Sequence, residues 1–389
     1  MTRGAKVIEV VFVVAALGLA VALRLSLLDF KSVDYFSYTK VWYITLKDSG
    51  FAAFSQGFSN YNLPYLYLLY LVVRIAPDLS SVAATKVPSL IADFVAAWYA
   101  FRIVGLKFRA SPVPKFAALA VLLAPTIVLN SAFWGQADAL YACAVLASIY
   151  YVLRGRHAAA MVLFGVAVAF KAQAVFVLPV LAALILRKQV HWKHVFLVPG
   201  VMILALIPAW LAGRPLLDLL LIYPSQAGQY EQLSMHAPSA LAWIPDTGKY
   251  YTYFYSASLI LAATLALGFC VVITLSKTRL TPSLLLRLAL VAAILLPFLL
   301  PKMHERYFYV ADLLSVILPF FEPTLFFVPL VMASVSFFAY QPTLFGAEPV
   351  SIAVLALGML GLLILLGRDV LRNLYPPGLN NEEPSPEVE

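Results

Sequence analysis

The chain has 389 residues, of which 63% are hydrophobic and only 12% charged, with a mean hydropathy of +0.90 and a formal net charge of +8. A water-soluble domain carries about 25% charged residues, so this composition excludes a soluble globular fold. The excess positive charge does not indicate nucleic acid. Lys and Arg gather in short stretches between apolar runs: Lys107, Arg109 and Lys115; Arg154 and Arg156; Arg187, Lys188 and Lys193; Lys277, Arg279 and Arg287; Arg368 and Arg372. That is how cytoplasmic loops are marked in membrane proteins.

The first apolar run, Val7–Leu28, follows Arg3 and Lys6. It exceeds the 7–15 residues, roughly, of a signal-peptide core and has no small-residue cleavage site, so it reads as a retained span with a cytoplasmic start. Further spans are predicted over Leu63–Ala76, Val87–Gly105, Lys115–Asn130, Asp138–Leu153, Ala158–Phe170, Ala174–Leu186, Val195–Ala212, Tyr253–Leu275, Leu284–Leu300, Tyr307–Phe321, Leu325–Tyr340 and Ser351–Leu366. Alternating ten-residue strands are absent, so the expected fold is an all-α polytopic bundle of about twelve or thirteen spans, one domain over residues 1–374. Charge parity raises a conflict. Three runs separate Lys6 from Lys107, whereas two cytoplasmic positions require an even number of crossings. Either one run within Leu63–Gly105 does not span, or the 29–62 loop holds a re-entrant piece, or the Lys107–Lys115 loop breaks the charge rule.

Two long connections interrupt the bundle, and long loops in compact proteins usually carry function. Residues 29–62 are rich in aromatics, among them Tyr35, Tyr38, Trp42, Phe54 and Tyr61, and helix-like spacing over Tyr35–Leu46 predicts amphipathic helices lying in the membrane interface. Residues 213–251 are polar, with Gln226, Gln229, Tyr230, Glu231, Gln232 and His236. Both loops are expected on the extracytoplasmic side. The Pro- and Glu-rich segment 375–389 is expected to be a disordered cytoplasmic tail. Cys143 and Cys270 lie inside apolar runs and read as small core residues.

An ionisable group near hydrocarbon costs a few kcal/mol, so each one outside the basic loops needs a partner, water or a task. Asp34, just beyond the first span among aromatics, is either a solvated loop carboxylate or a base for a substrate hydroxyl. Asn60-Tyr61-Asn62-Leu63-Pro64 opens the second run, where Pro and Tyr also have ordinary helix-start and interface roles. Trp134, Gln136 and Asp138 combine an aromatic face with hydroxyl-binding groups, and the spacing of Trp134 and Asp138 suits one helix face. Lys171 and Gln173 sit between two short apolar runs, where an ammonium must snorkel or line a wet cavity. Densest of all is Lys302-Met303-His304-Glu305-Arg306-Tyr307, whose Lys302 and Arg306 would face one way on a helix and suit a phosphate. A positive cytoplasmic loop would explain these charges, but the span count puts them on the opposite side. Asp93 and Asp312 fall within apolar runs, where a hydrogen bond between helices serves as well as a substrate contact. No His-x-x-x-His, Cys-x-x-Cys, Walker or dinucleotide motif occurs.

Taken in order, Asp34, Asn60-Tyr61-Asn62-Leu63-Pro64-Tyr65-Leu66-Tyr67, Trp134-Gly135-Gln136-Ala137-Asp138, Lys171-Ala172-Gln173 and Lys302-Met303-His304-Glu305-Arg306-Tyr307 resemble the GT-C class of membrane glycosyltransferases. The likeness is greatest to bacterial proteins related to the second mannosyltransferase of glycosylphosphatidylinositol synthesis. Where that family often has two prolines, this chain reads Asn62-Leu63-Pro64. The resemblance implies a polyprenyl-phosphate-sugar donor, mannose as the first expectation, and inverting transfer to a lipid or glycan acceptor on the extracytoplasmic face of the cell membrane. It places the catalytic base at Asp34. Lys302, His304 and Arg306 would then bind the donor phosphate. Tyr61, Asn62, Trp134, Gln136, Asp138, Lys171, Gln173, Gln226, Tyr230 and Glu305 would contact sugar or acceptor. Some GT-C enzymes use a divalent cation and others none. The competing readings are a flippase or transporter of lipid-linked glycans, which needs polar groups at the midplane and paired repeats, and a polymerase or ligase of such glycans.

Overall fold

A computed structural model describes residues 3–227, 231–245 and 250–376, and within these the chain is almost entirely helical. The helices are α1 (Arg3–Ser26), α2 (Lys40–Ser49), α3 (Leu63–Ile75), α4 (Ser81–Val104), α5 (Val113–Leu123), α6 (Pro125–Val128), α7 (Asp138–Leu153), α8 (His157–Phe170), α9 (Leu178–Leu186), α10 (Leu197–Leu211), α11 (Leu216–Leu220), α12 (Ile222–Ala227), α13 (Tyr251–Leu275), α14 (Pro282–Leu299), α15 (Tyr309–Ile317), α16 (Val328–Phe345) and α17 (Ile352–Leu374). Two short strands, β1 (Ser234–Met235) and β2 (Met303–His304), pair in parallel. Helix starts carry the expected chemistry. Ser80, Thr281 and Ser351 cap α4, α14 and α17 by accepting from backbone amides three residues on.

Hydrogen bonds and ion pairs sort the loops into two ends. At one, Lys115 meets Glu9 at 2.7 Å, Lys107 Nζ reaches the Phe321 carbonyl, Arg287 pairs with Glu322 and Asp369, and Arg187 binds the carbonyls of Ile273 and Thr278. Four of the five predicted basic loops touch this network, and Arg154 of the fifth lines a cavity together with Lys6 and Lys115. The other end gathers both long loops, the 134–138 turn, Lys171 and the 301–306 segment.

This division resolves the parity conflict. Helix α4 runs antiparallel to α1: Lys86 Nζ donates to the carbonyls of Leu27, Leu28 and Phe30, and Arg24 pairs with Asp93. Helix α3 begins beside Ala169 through Asn62, while α4 starts with the Ser81 hydroxyl 2.7 Å from that of Tyr35. Between these points α3 packs along the first loop through Trp42–Tyr65, Phe54–Tyr67 and Phe51–Tyr70 contacts. Both its approaches lie at the loop-bearing end, so α3 is interfacial and does not cross. The loop itself is helical, with a π-helical turn at Tyr35–Thr39, α2, and a 3₁₀ stretch at Gly50–Ser55, as its amphipathic spacing predicts.

Seven helices are long and apolar enough to cross a membrane, eight if the bent pair Val113–Leu123 and Pro125–Trp134 is one span. The 50° bend falls at Pro125, which lacks the amide that would continue α5. Helix α7, helix α8, the Ala172–Leu186 pair and the 305–321 segment are shorter but also run from one end to the other. Counted this way the described residues make about twelve passes, the lower of the two expected numbers, with α3 removed.

The bend is held by charge. Arg24 Nη1 donates to the Leu122 carbonyl at 2.8 Å, one of those left open at the end of α5. Its Nε and Nη2 bind Asp93 Oδ2, which also accepts from Ser131 Oγ at 2.6 Å. This pair ties α1 and α4 to the π-helical turn Leu129–Trp134. Asp93 is therefore the interhelical tie, not a substrate group. Replacing Asp93 with Ala strands a buried guanidinium, and a loss of about 3–5 kcal/mol is expected. Thermal unfolding in detergent should show this fall, and the double change Arg24→Met with Asp93→Leu should recover most of it.

Candidate active site

The loop-bearing end encloses two cavities that meet. The first, about 300 Å³, is lined by Asp34, Trp134 and Gln136 with aromatic side chains of the first loop, and reaches His304, Glu305 and Arg306. The second, about 340 Å³, is lined by Lys171, Gln173, Lys302, Arg306 and Tyr307 among others. Asn60, Tyr61 and Arg306 belong to both walls. Each cavity is of the size that takes a small molecule.

Asp34 enters the first cavity from the start of the first-loop helices and is half-buried. Two donors fix it on one oxygen. Trp134 Nε1 donates to Oδ2 at 2.9 Å, and Gln136 Nε2 makes a short bond to the same atom. Among the described residues Oδ1 accepts no hydrogen bond. Gln136 is itself set by the Tyr61 hydroxyl, 3.2 Å from its Oε1. Trp134 ends a π-helical turn, and Gly135 follows at φ +83, a left-handed conformation that a side chain disfavours. An added Cβ there would also sit 3.2 Å from Lys86 Cγ. Trp134 and Asp138 thus do not share a helix face as their spacing suggested. The chain reverses between them, sending Trp134 to Asp34 and Asp138 toward Lys171.

Asp138, fully buried at the start of α7, pairs with Lys171 Nζ and accepts from Asn130 Nδ2 at 3.0 Å. Lys171 lies over the rings of Tyr61 and Tyr307 at 5.5 and 5.8 Å. Arg306 stands at the junction: its Nε is 4.0 Å from Asp138, its Nη1 donates to Glu305 at 3.2 Å, and its guanidinium lies over Trp134. Residues 302–306 are not the helix that put Lys302 and Arg306 on one face. Lys302 adopts φ +60, Met303–His304 pairs with Ser234–Met235 of the second loop, and a 3₁₀ turn begins at Glu305. Lys302 and Arg306 nevertheless line one cavity, because the strand pairing places them there.

Electrostatics differ across this cluster. Burial, then the charge of Arg306, pushes the His304 imidazole below its ordinary value despite the nearby Glu305. His304 is therefore neutral at pH 7 and Arg306 supplies the fixed charge. An unfolded histidine takes up its proton near pH 6.5, roughly, so the stability from keeping His304 neutral is complete above that pH. It is lost as pH falls toward the lower folded value. Thermal midpoints should decline with acidification below pH 6.5, roughly, and His304→Gln should flatten that part of the profile.

Of the remaining residues picked from the sequence, Asn62 holds the chain, donating to the Ala169 carbonyl at 2.6 Å and to Tyr223. It lines the second cavity, as does Gln226, which bonds the Asn60 carbonyl. Tyr230 lies outside the described residues. The sequence reading missed Tyr38, Trp42 and Tyr65 as walls of the first cavity and Tyr255, whose ring lies 5.3 Å from Lys302 Nζ, as a wall of the second. The first three belong to a visible run of aromatics; Tyr255 gives no local signal. Among the described residues, no group of three or more His, Cys, Asp or Glu side chains converges as metal ligands do.

A third cavity shares Phe170 as a wall residue with the second. This groove, about 570 Å³, is almost wholly apolar and lies between α3, α4, α7 and α8.

Comparison with known proteins gives two likenesses. Residues 55–187 match the family described as alpha-(1->6)-mannopyranosyltransferase, N-terminal domain. In three dimensions the chain is similar to the crystal structure of ArnT from Cupriavidus metallidurans bound to undecaprenyl phosphate, with a TM-score of 0.56 and 14% identity over 93% of this chain and 77% of that one. The apo form of ArnT gives 15% identity and a TM-score of 0.49, over 92% and 77% of the two chains. No curated protein matches the chain in sequence. The shared fold spans nearly the whole chain, and the mannosyltransferase-family match lies within it: the protein is a multi-pass membrane protein with an ArnT-like fold, similar over residues 55–187 to a mannosyltransferase family.

Proposed function

We propose that the protein transfers a sugar, mannose first, from a polyprenyl-phosphate donor to an acceptor hydroxyl on the extracytoplasmic face, in one inverting displacement. The observation that carries this reading is the junction of the two cavities. A carboxylate with an open oxygen, Asp34 Oδ1, faces one of them, and the cations Lys171, Lys302 and Arg306 line the other. The acceptor occupies the first cavity, and Oδ1 takes its hydroxyl proton as the oxygen attacks the anomeric carbon. The bond from that carbon to the phosphate oxygen breaks on the opposite side. Arg306 and Lys302 stabilise the negative charge that collects on the departing phosphate. Lys171, already paired with Asp138, shapes the cavity wall more than it neutralises the phosphate.

The donor's lipid has a matching path. The apolar groove between α3, α4, α7 and α8 shares Phe170 with the wall of the second cavity, so a prenyl chain lying in it would keep its phosphate close to Lys302 and Arg306. The ArnT neighbour was crystallised with undecaprenyl phosphate, which supports a donor of this lipid class. The family match supports mannose as the sugar. The basic loops at the far end support an extracytoplasmic site by the positive-inside rule.

The test is to reconstitute the purified protein in lipid with labelled polyprenyl-phosphate-mannose and a set of mannosyl and lipid acceptors. Label should appear in a glycosylated product without any second compartment. Donor translocation between leaflets with no new glycosidic bond would assign the protein to a flippase.

A further inference from the structure

The end opposite Asp34 carries a fourth cavity, of about 810 Å³, walled by the start of α1, the end of α4, the following turn, the start of α5 and the end of α7. Five cations line it, Lys6, Arg102, Arg109, Lys115 and Arg154, against one acid, Glu9. Glu9 is already paired with Lys115 at 2.7 Å. Arg102 is fixed by the Tyr150 hydroxyl at 2.6 Å and by stacking over Trp98 and Tyr150. Among the described residues the side chains of Lys6, Arg109 and Arg154 form no hydrogen bond or ion pair, and all three are exposed. Phe101, Leu106 and Phe108 supply an apolar wall beneath the charges.

We infer that this cavity holds the headgroup of an anionic phospholipid. Solvated basic loops spread their charges; here they converge over an apolar wall. The wall also opens onto the lipid-facing surface, since only 11% of the α1 span is buried and Trp98 is 53% exposed. A phosphate among Lys6, Arg109 and Arg154 leaves its glycerol and upper acyl carbons against Phe101 and Leu106. Basic pockets between helices at the cytoplasmic surface suit such headgroups. The site is separate from the catalytic cavities and does not depend on the transfer reaction.

The experiment measures equilibrium binding of short-chain phosphatidylglycerol to the purified full chain in neutral detergent, beside phosphatidylcholine of the same chains and inorganic phosphate. Phosphatidylglycerol should bind at least ~10-fold more tightly than phosphatidylcholine. The triple change Lys6→Gln, Arg109→Gln, Arg154→Gln should remove that preference, while Arg109→Lys with Arg154→Lys should keep it. Removing equal charge elsewhere at this end, by Lys193→Gln, Lys277→Gln and Arg372→Gln, should also leave it intact. Thermal unfolding of each variant establishes that it is folded. Equal loss from both triple variants would overturn the site in favour of general surface charge. Competition by inorganic phosphate as strong as that by the lipid would overturn the lipid as occupant.

Discussion

Asp34→Asn is expected to lower sugar transfer by roughly three orders of magnitude while leaving donor affinity unchanged, the loss typical of a removed general base. The substitution is nearly isosteric, and the two donors on Oδ2 dictate its geometry. Trp134 Nε1 and Gln136 Nε2 both need an acceptor, so the new amide must turn its oxygen toward them. Its NH₂ group then occupies the place of Oδ1 and faces the acceptor hydroxyl with a donor where a base stood. Donor affinity is expected to be untouched because Asp34 lines the first cavity and not the second, where Lys302 and Arg306 are proposed to meet the phosphate. Initial rates together with equilibrium binding of labelled donor separate the two effects. A variant that retains transfer, or one that fails to bind donor, would remove Asp34 from the role assigned to it.

Arg306→Gln is expected to cost roughly 10²–10³-fold in kcat, the range seen when one preorganised donor is lost from a charge-stabilising site. Among the described residues Arg306 is the only cation lining both cavities, and its position over Trp134 beside Asp138 and Glu305 holds the guanidinium without substrate. Arg306→Lys should recover only part of the rate, because an ammonium cannot span Glu305, Asp138 and a phosphate as the planar fork does. Removal of the charge leaves Glu305 buried with His304 as its remaining partner, so some loss of stability accompanies the loss of rate. Lys302→Gln, in the wall of the second cavity, should act on KM for donor more than on kcat. A kcat unchanged by Arg306→Gln, measured at saturating donor on folded protein, would contradict its role in the departing-phosphate step.

Much of this was legible in the sequence because a membrane makes polar residues informative. The spans followed from hydropathy alone, with Asp138–Leu153 matching α7 at both ends. Asp34, Gln136, Lys171 and Arg306 stood out because each is costly where it lies, and the structure brings them to adjoining cavities. What could not be read was direction. Trp134 and Asp138 fitted one helix face by spacing, but the left-handed Gly135 reverses the chain between them. Lys302 and Arg306 were assigned to a helix because helical spacing was the only local cue, whereas a two-residue pairing with the distant Ser234–Met235 sets their backbone. Helix α3 looked like a span because its residues are apolar. Its aromatic face is instead packed under the first loop, which no local pattern specifies. Arg24 and Lys86 were hidden inside or beside long apolar runs, and their partners, Asp93 and the carbonyls ending α1, are far away in sequence.

The most direct test of the two-cavity account is the anomeric configuration of the product, determined by nuclear magnetic resonance after transfer from a donor of known configuration. One carboxylate facing the acceptor, with the phosphate leaving on the far side, predicts that the new bond has the configuration opposite to the donor's. Retention would require a covalent sugar–enzyme intermediate and a second displacement, and would contradict the account.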